Sequence, residues 1–118
     1  MQIDTATTDP VRVGGKTTYQ IMLENADSQS YFDVVVSATL SEGLKLDTIA
    51  GHVGTEGQAT ATAVRFQPIR EVRPGESGIN FELNVSAVRP GAAKVRVEVT
   101  SRGQPRPTVA EQTTQVLP

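Results

Sequence analysis

Four groups of residues in this 118-residue chain are of types that could do chemistry. The first is Gly14-Gly15-Lys16-Thr17-Thr18, which has the letters of a phosphate-cradling loop. That loop needs the pattern G-x-x-x-x-G-K-[ST] and a following helix whose N-terminus faces the phosphates. Here Pro10 stands where the first glycine belongs, and Tyr19-Gln20-Ile21-Met22-Leu23 alternates as a strand does. The glycine pair therefore reads as a turn into a strand, with Lys16 in solvent.

The second is His52, the only histidine, inside the glycine-rich stretch "GHVGTEGQAT". No serine stands beside it in a G-x-S-x-G setting, so it reads as a loop residue rather than a general base. The third is Asn25, Asp27 and Asp33, whose oxygens bracket a connection between two predicted strands and are the candidates for a calcium ion. They lack a dense D-x-D-x-D spacing, and the competing role is turn chemistry, in which Asn and Asp satisfy nearby backbone donors. The fourth is the set Lys16, Lys45 and Lys94, any of which could form an intramolecular bond to asparagine if buried beside a carboxylic acid. No asparagine occurs in the last apolar run, which argues against such a crosslink. No catalytic residue and no cofactor follows from these groups.

The elements that must position these residues are strands. Val, Ile and Thr number 34 against 6 Leu; β-branched side chains lose rotamer freedom in helices and pack well on a pleated surface. Tyr19, Ile21 and Leu23 alternate with polar neighbours, as do Phe32, Val34, Val36, Ala38 and Leu40. Leu44, Leu46 and Thr48 form a shorter run, and Val64 and Phe66 another. Ile79, Phe81, Leu83, Val85 and Ala87 give the cleanest alternation, followed by Val95, Val97 and Val99 and a last run from Val109 to Val116. With Ile3 to Thr7 and Val11 to Val13, the spacing predicts one all-β sandwich of about 7–9 antiparallel strands over residues 1–118 and essentially no helix. The tetrapeptide VRPG occurs at Val72 to Gly75 and again at Val88 to Gly91, each copy where a strand run stops. Both are predicted type II turns, since Pro presets the first turn position and Gly accepts positive φ at the next.

Composition excludes several partners. A net charge of −2 without a basic run, and 4% aromatic residues, argue against nucleic-acid binding. No apolar stretch approaches the roughly twenty residues that span a bilayer as a helix. Cysteine is absent, so no disulfide or thiolate metal site is available. Met1-Gln2-Ile3-Asp4 has neither the basic start nor the apolar middle of a signal peptide, so an exported protein would contain this chain as an excised piece.

The stretch "VGGKTTYQIMLENADS" resembles the entry of a bacterial repeat family labelled domain of unknown function eleven, through Gly15, Tyr19, Ile21, Leu23 and Asn25. Val34, Val36, Leu40, Gly43 and Leu44, then Val72, Pro74, Gly75 and Glu76, continue the resemblance over about residues 11 to 100. Ser41 replaces the family's usual proline, and Ala38 stands where it has aspartate. The resemblance implies an immunoglobulin-like sandwich, related to bacterial cell-adhesion domains and carried in tandem on a secreted or surface-anchored bacterial protein, without a conserved active site. The expected function is a non-catalytic structural or adhesion module, extracellular, with neighbouring domains of its own chain as partners and its termini at opposite ends. The alternative is an accessory module binding carbohydrate or protein through loops at one end. Tyr31, in "DSQSYF", is the aromatic expected at the surface for that purpose, whereas Tyr19 is assigned to the core.

Overall fold

Each alternating run forms a strand in the computed structural model, which describes residues 1–7, 10–52, 57–104 and 106–118. In chain order the strands are β1 (Gln2–Ala6), β2 (Val11–Arg12), β3 (Lys16–Glu24), β4 (Tyr31–Leu40), β5 (Leu44–Ala50) and β6 (Gly57–Ala59). They continue with β7 (Ala63–Phe66), β8 (Ile69–Val72), β9 (Ile79–Ala87), β10 (Gly91–Thr100) and β11 (Thr108–Leu117). One sheet has the order β1-β3-β9-β5; the other has β2-β11-β10-β4-β7-β6, with β8 pairing β4 beside β7. The first matches the ABED sheet of an immunoglobulin-type sandwich, and β11-β10-β4 matches GFC.

Two strands are additional to the sequence runs. β6 lies within the stretch read as a loop, and β8 follows Pro68; neither Gly57-Gln58-Ala59 nor Ile69-Arg70-Glu71-Val72 alternates apolar with polar residues. Each exists because a neighbour offers backbone partners: Gln58 lies opposite Arg65, and Ile69 opposite Val34. Residues 53–56 of that predicted loop lie outside the described residues. Pairing is antiparallel throughout except between β2 and β11, where Val11 lies beside Val116 in parallel. The chain leaves the first sheet after β1 and crosses to the second, which imposes that direction.

The core is the alternation made physical. Tyr19, Ile21 and Leu23 of β3 and Ile79 through Ala87 of β9 face Val34 through Leu40 of β4 and Val95, Val97 and Val99 of β10. Between the sheets the rings of Phe66 and Phe81 meet at 4.6 Å and 47°, a tilted geometry that adds about 0.5–1.5 kcal/mol beyond burial. Two positions depart from simple alternation. Phe32, predicted inward, is exposed, because Asp33 adopts φ 51° and breaks the pleat just before Val34. Thr48 also points out, because the register of β5 shifts between Leu46 and Thr48 and brings Ile49 against the core.

β3 gives the molecule its polarity. Its last residue, Glu24, pairs with Gln2, and the Met1 ammonium sits 3.1 Å from Asp27 just beyond. Ahead of its first residue, Lys16, the Val13 amide donates to the Leu117 carbonyl at 2.9 Å. Nine residues of strand separate these points, about 26 Å at ~3.3 Å per residue. The two termini therefore lie at opposite ends of a body 46 Å long and 24 by 22 Å across.

Candidate functional site

The residues singled out by type are distributed over both ends of the sandwich. At the end carrying the N-terminus, β3 stops at Asn25, whose side chain is fully buried. Its Nδ2 donates to the carbonyls of Gln29 at 2.8 Å and Val72 at 3.1 Å, while its Oδ1 accepts the Asp27 amide at 3.0 Å. Its backbone is engaged as well: the Asn25 amide donates to Glu76 O, and the Gly75 amide donates to Asn25 O. One side chain thus ties the loop after β3 to the turn after β8, which is the turn chemistry that competed with ion binding.

The other two calcium candidates are held by different partners. The Asp27 carboxylate accepts from the Tyr31 hydroxyl and from the Met1 ammonium. The Tyr31 hydroxyl, first, and then the ammonium hold the Asp27 carboxyl below its usual range; Asp27 in turn raises the Tyr31 hydroxyl. Asp33 binds the Arg102 guanidinium through Nε at 2.8 Å and through Nη2. The structure therefore does not bring Asn25, Asp27 and Asp33 onto one centre. Among the described residues no group of three or more His, Cys, Asp or Glu side chains is placed to share an ion.

Tyr31 is half-buried against the core and hydrogen-bonded, so it is not the exposed aromatic expected from sequence. Phe32 takes that place at 43% exposure, with the Arg102 guanidinium 5.9 Å from its ring centre. The Arg102 amide also donates to the Phe32 carbonyl at 2.8 Å. Asp and Asn tolerate positive φ better than most residues, but an aspartate at an outward position of an alternating run carries no signal that the pleat will break there.

At the opposite end, Gly14-Gly15 is a closed turn. Gly14 has φ 86°, its amide donates to Ala87 O, and the Gly15 amide returns to Arg12 O. A β-carbon at Gly15 would approach Arg12 O to 2.9 Å, which explains the second glycine. Lys16 follows as the exposed first residue of β3, opposite Ser86, with a strand and no helix behind it. Lys45 and Lys94 are exposed too, so none of the three lysines is buried as an isopeptide crosslink requires. The buried Asn25 amide is committed to backbone carbonyls. His52 is half-buried in a bend after β5.

The two VRPG segments differ. The first is the predicted type II turn: Gly75 has φ 77° and the Glu76 amide donates to Arg73 O at 3.1 Å. In the second Gly91 sits at φ 124°, well away from the type II value of about 80°, and begins β10. Just ahead of it the Val88 amide donates to Gly43 O, which ties this segment to the loop before β5.

On the outer face of the first sheet a polar ladder crosses three strands. Thr18 donates to Asn84 Oδ1 at 2.7 Å, and Asn84 Nδ2 donates to Thr48 at 3.0 Å. An open recess of about 330 Å³ on the same face is lined by Gln20, Met22, Ala50, Gly51, Asn80, Phe81 and Glu82, of which only Glu82 is a carboxylate. No helix among the described residues is long and apolar enough to cross a membrane.

No protein-family model matches the sequence, and no curated protein matches it, so the repeat-family resemblance gains no support from either side. Solved structures do match in shape. The chain aligns over 98% of its length with the C-terminal domain of the Streptococcus pyogenes antigen I/II-family protein AspA, at TM-score 0.72 and 12% identity, spanning 46% of that chain. It aligns over 98% of its length, and 95% of the other, with a cohesin module from a Clostridium perfringens family 33 glycoside hydrolase, at TM-score 0.69 and 9% identity. A third match is AvmM, which catalyses macrocyclization in alchivemycin A biosynthesis, at TM-score 0.60 and 8% identity over 98% of this chain and 89% of that one. One architecture thus occurs in a cohesin module, an antigen I/II-family domain and an enzyme alike, and identities this low carry the fold without the function. The chain is an all-β, immunoglobulin-like sandwich.

Proposed function

We propose that this chain is a non-catalytic structural or adhesion module, one extracellular unit of a longer secreted or surface-anchored bacterial protein, of the kind the domain-of-unknown-function-eleven resemblance implies. The observation that carries this reading is the placement of the termini at opposite ends of the 46 Å axis. A chain that enters at one end and leaves at the other adds length with each unit, whereas termini side by side would fold successive units back on each other. Likeness to a cohesin and to an antigen I/II domain is consistent with such a role. The test is to join two copies directly, Pro118 to Met1, and measure the longest dimension by small-angle scattering. A value approaching twice 46 Å is expected; a side-by-side pair refutes the spacer reading.

A second reading, an accessory module binding protein or glycan through the loops at one end, is favoured by the exposed Phe32 beneath Arg102. Aromatic and arginine side chains are the usual anchors of binding surfaces. Loss of binding to a captured ligand on Phe32→Ala, with unfolding unchanged, would support it over the spacer.

A further inference from the structure

The chain has three asparagines, Asn25, Asn80 and Asn84, and only the last begins an N-x-[ST] acceptor pattern, as Asn84-Val85-Ser86. It lies in the middle of β9, where the pleat sorts its residues by face. Leu83 and Val85 point inward and are fully buried, so Glu82, Asn84 and Ser86 all stand, half-exposed, on the outer face of the first sheet. The whole acceptor is therefore presented on one side.

The three asparagine amides differ in what they have left to give. A carboxamide nitrogen carries two hydrogens. Asn25 donates to two backbone carbonyls, Gln29 O and Val72 O, and its side chain is fully buried, so it has neither a hydrogen nor space for a substituent. Asn80 is exposed but is followed by Phe81-Glu82, with no hydroxyl two residues on. Asn84 donates to Thr48 Oγ1 at 3.0 Å and accepts from Thr18 at 2.7 Å, which uses one Nδ2 hydrogen and the carbonyl oxygen. A substituent in place of the other hydrogen leaves both bonds of the polar ladder intact. Space is present as well: Thr18 and Thr48, the cross-strand neighbours, are short, and an open recess of about 310 Å³ lined by Lys16, Asp47, Thr48 and Asn84 lies beside them.

We infer that Asn84 is an acceptor for N-linked glycosylation. The donor class is an oligosaccharide on a polyprenyl diphosphate, and the transfer is a displacement at the first sugar. Asn84 Nδ2 forms a bond to C1 of that sugar and gives up one proton, while the bond from C1 to the diphosphate oxygen breaks and the lipid diphosphate leaves. In the folded chain the Ser86 hydroxyl donates to Asp47 Oδ2, so the transfer belongs to the extended chain before the sheet closes. This rests on the extracellular placement in the proposed function, because such transfer takes place outside the cytoplasm. It adds that a glycan projects from a lateral face of the sandwich rather than from either end of its 46 Å axis, which leaves both ends clear for adjoining domains.

The test is to export the chain, behind a cleavable leader, into the periplasm of bacterial cells that carry an oligosaccharyltransferase, its lipid-linked glycan and a known acceptor protein as control. Intact and peptide mass spectrometry should find one added glycan, on the peptide containing Asn84. Asn84→Gln and Ser86→Ala should each abolish it, and Glu82→Gln should lower the occupied fraction where the enzyme reads an acidic residue two places before the asparagine. The glycosylated form should unfold cooperatively at a midpoint no lower than that of the unmodified chain, since the ladder remains. An unmodified chain beside a modified control overturns the acceptor, as does a glycan on Asn25 or Asn80, one that survives Ser86→Ala, or a glycosylated fraction that does not fold. Export is imposed in this experiment, so such a failure refutes the acceptor and leaves the spacer reading to the scattering test.

Discussion

Replacing Asn25 with alanine should be among the more damaging single polar changes available in this chain, and its size can be worked from the geometry. The side chain is fully buried and makes three hydrogen bonds, to Gln29 O, Val72 O and the Asp27 amide. Each is worth about 1 kcal/mol net, so their loss costs about 3 kcal/mol; the Val72 carbonyl, left without its buried donor, keeps the figure from falling much below that. For a 118-residue domain the unfolding entropy is about 250 cal/mol/K, at ~2.1 per residue, so the melting temperature should fall by about 12 °C. Equilibrium urea unfolding, with an unchanged slope and a shifted midpoint, measures the same quantity. Asp27→Ala is the companion variant: an exposed carboxylate in the same loop, it should change stability far less. The calcium alternative makes a different forecast, since a chelator would then lower the wild-type melting temperature and added calcium would raise it. A cost below about 1 kcal/mol for Asn25→Ala would refute the clamp, and a chelator effect as large as the substitution would reinstate the ion.

Four other outcomes follow from the same geometry. Tyr19→Phe removes a buried hydroxyl bonded to Thr114 Oγ1 and should cost about 1–2 kcal/mol; combined with Thr114→Val, the double variant should lose less than the two separate losses added, as a double-mutant cycle would show. Gly57→Ala should destabilise by about 1–3 kcal/mol in thermal unfolding, because its β-carbon would lie 2.8 Å from Ile49 Cδ1 and 3.0 Å from the Phe66 ring. Lys16→Ala should stay within about ±0.5 kcal/mol, as for other solvated sites, and a larger effect would return attention to the glycine-lysine turn. Asp27, lowered in the folded state, contributes stability above the ordinary carboxylate range that is lost as pH falls through its folded value. Tyr31, raised, contributes stability below the ordinary tyrosine value that is lost as pH rises through its folded one. Tyr31→Phe should flatten both limbs of a urea-midpoint pH series, and unchanged limbs would sink the pairing.

Much of the scaffold was legible in the residues because period-2 alternation is a local property: wherever one face of a strand must be buried, the sequence has to show it. Tyr19, Ile21 and Leu23, and the whole of Ile79 through Ala87, went to the core as their spacing required. β6 and β8 were not legible because Gly57-Gln58-Ala59 and Ile69-Arg70-Glu71-Val72 show no apolar alternation, and only a neighbouring strand makes them extended. The candidate ion ligands were misleading because Asn and Asp serve turns and metals with the same oxygens. What separates those roles is whether the oxygens converge, and Asn25, Asp27 and Asp33 are instead committed to backbone, to Tyr31 and the N-terminus, and to Arg102.

By itself the sequence determined the class of fold, the strand faces and the turn at Arg73 to Glu76, since each depends on residues close together in the chain. It also determined that Gly14-Gly15 turns the chain into a strand, because no helix can begin at Thr17-Thr18-Tyr19-Gln20-Ile21 with that alternation. The tertiary structure decided the rest through contacts between distant residues. The second VRPG gives its glycine to β10, where Gly91 pairs with Val116, and Asp33 turned Phe32 outward. The register of β1, β3 and β11 sent the termini to opposite ends, and the pairing of β3 and β5 with β9 set Lys16 and Lys45 both opposite Ser86.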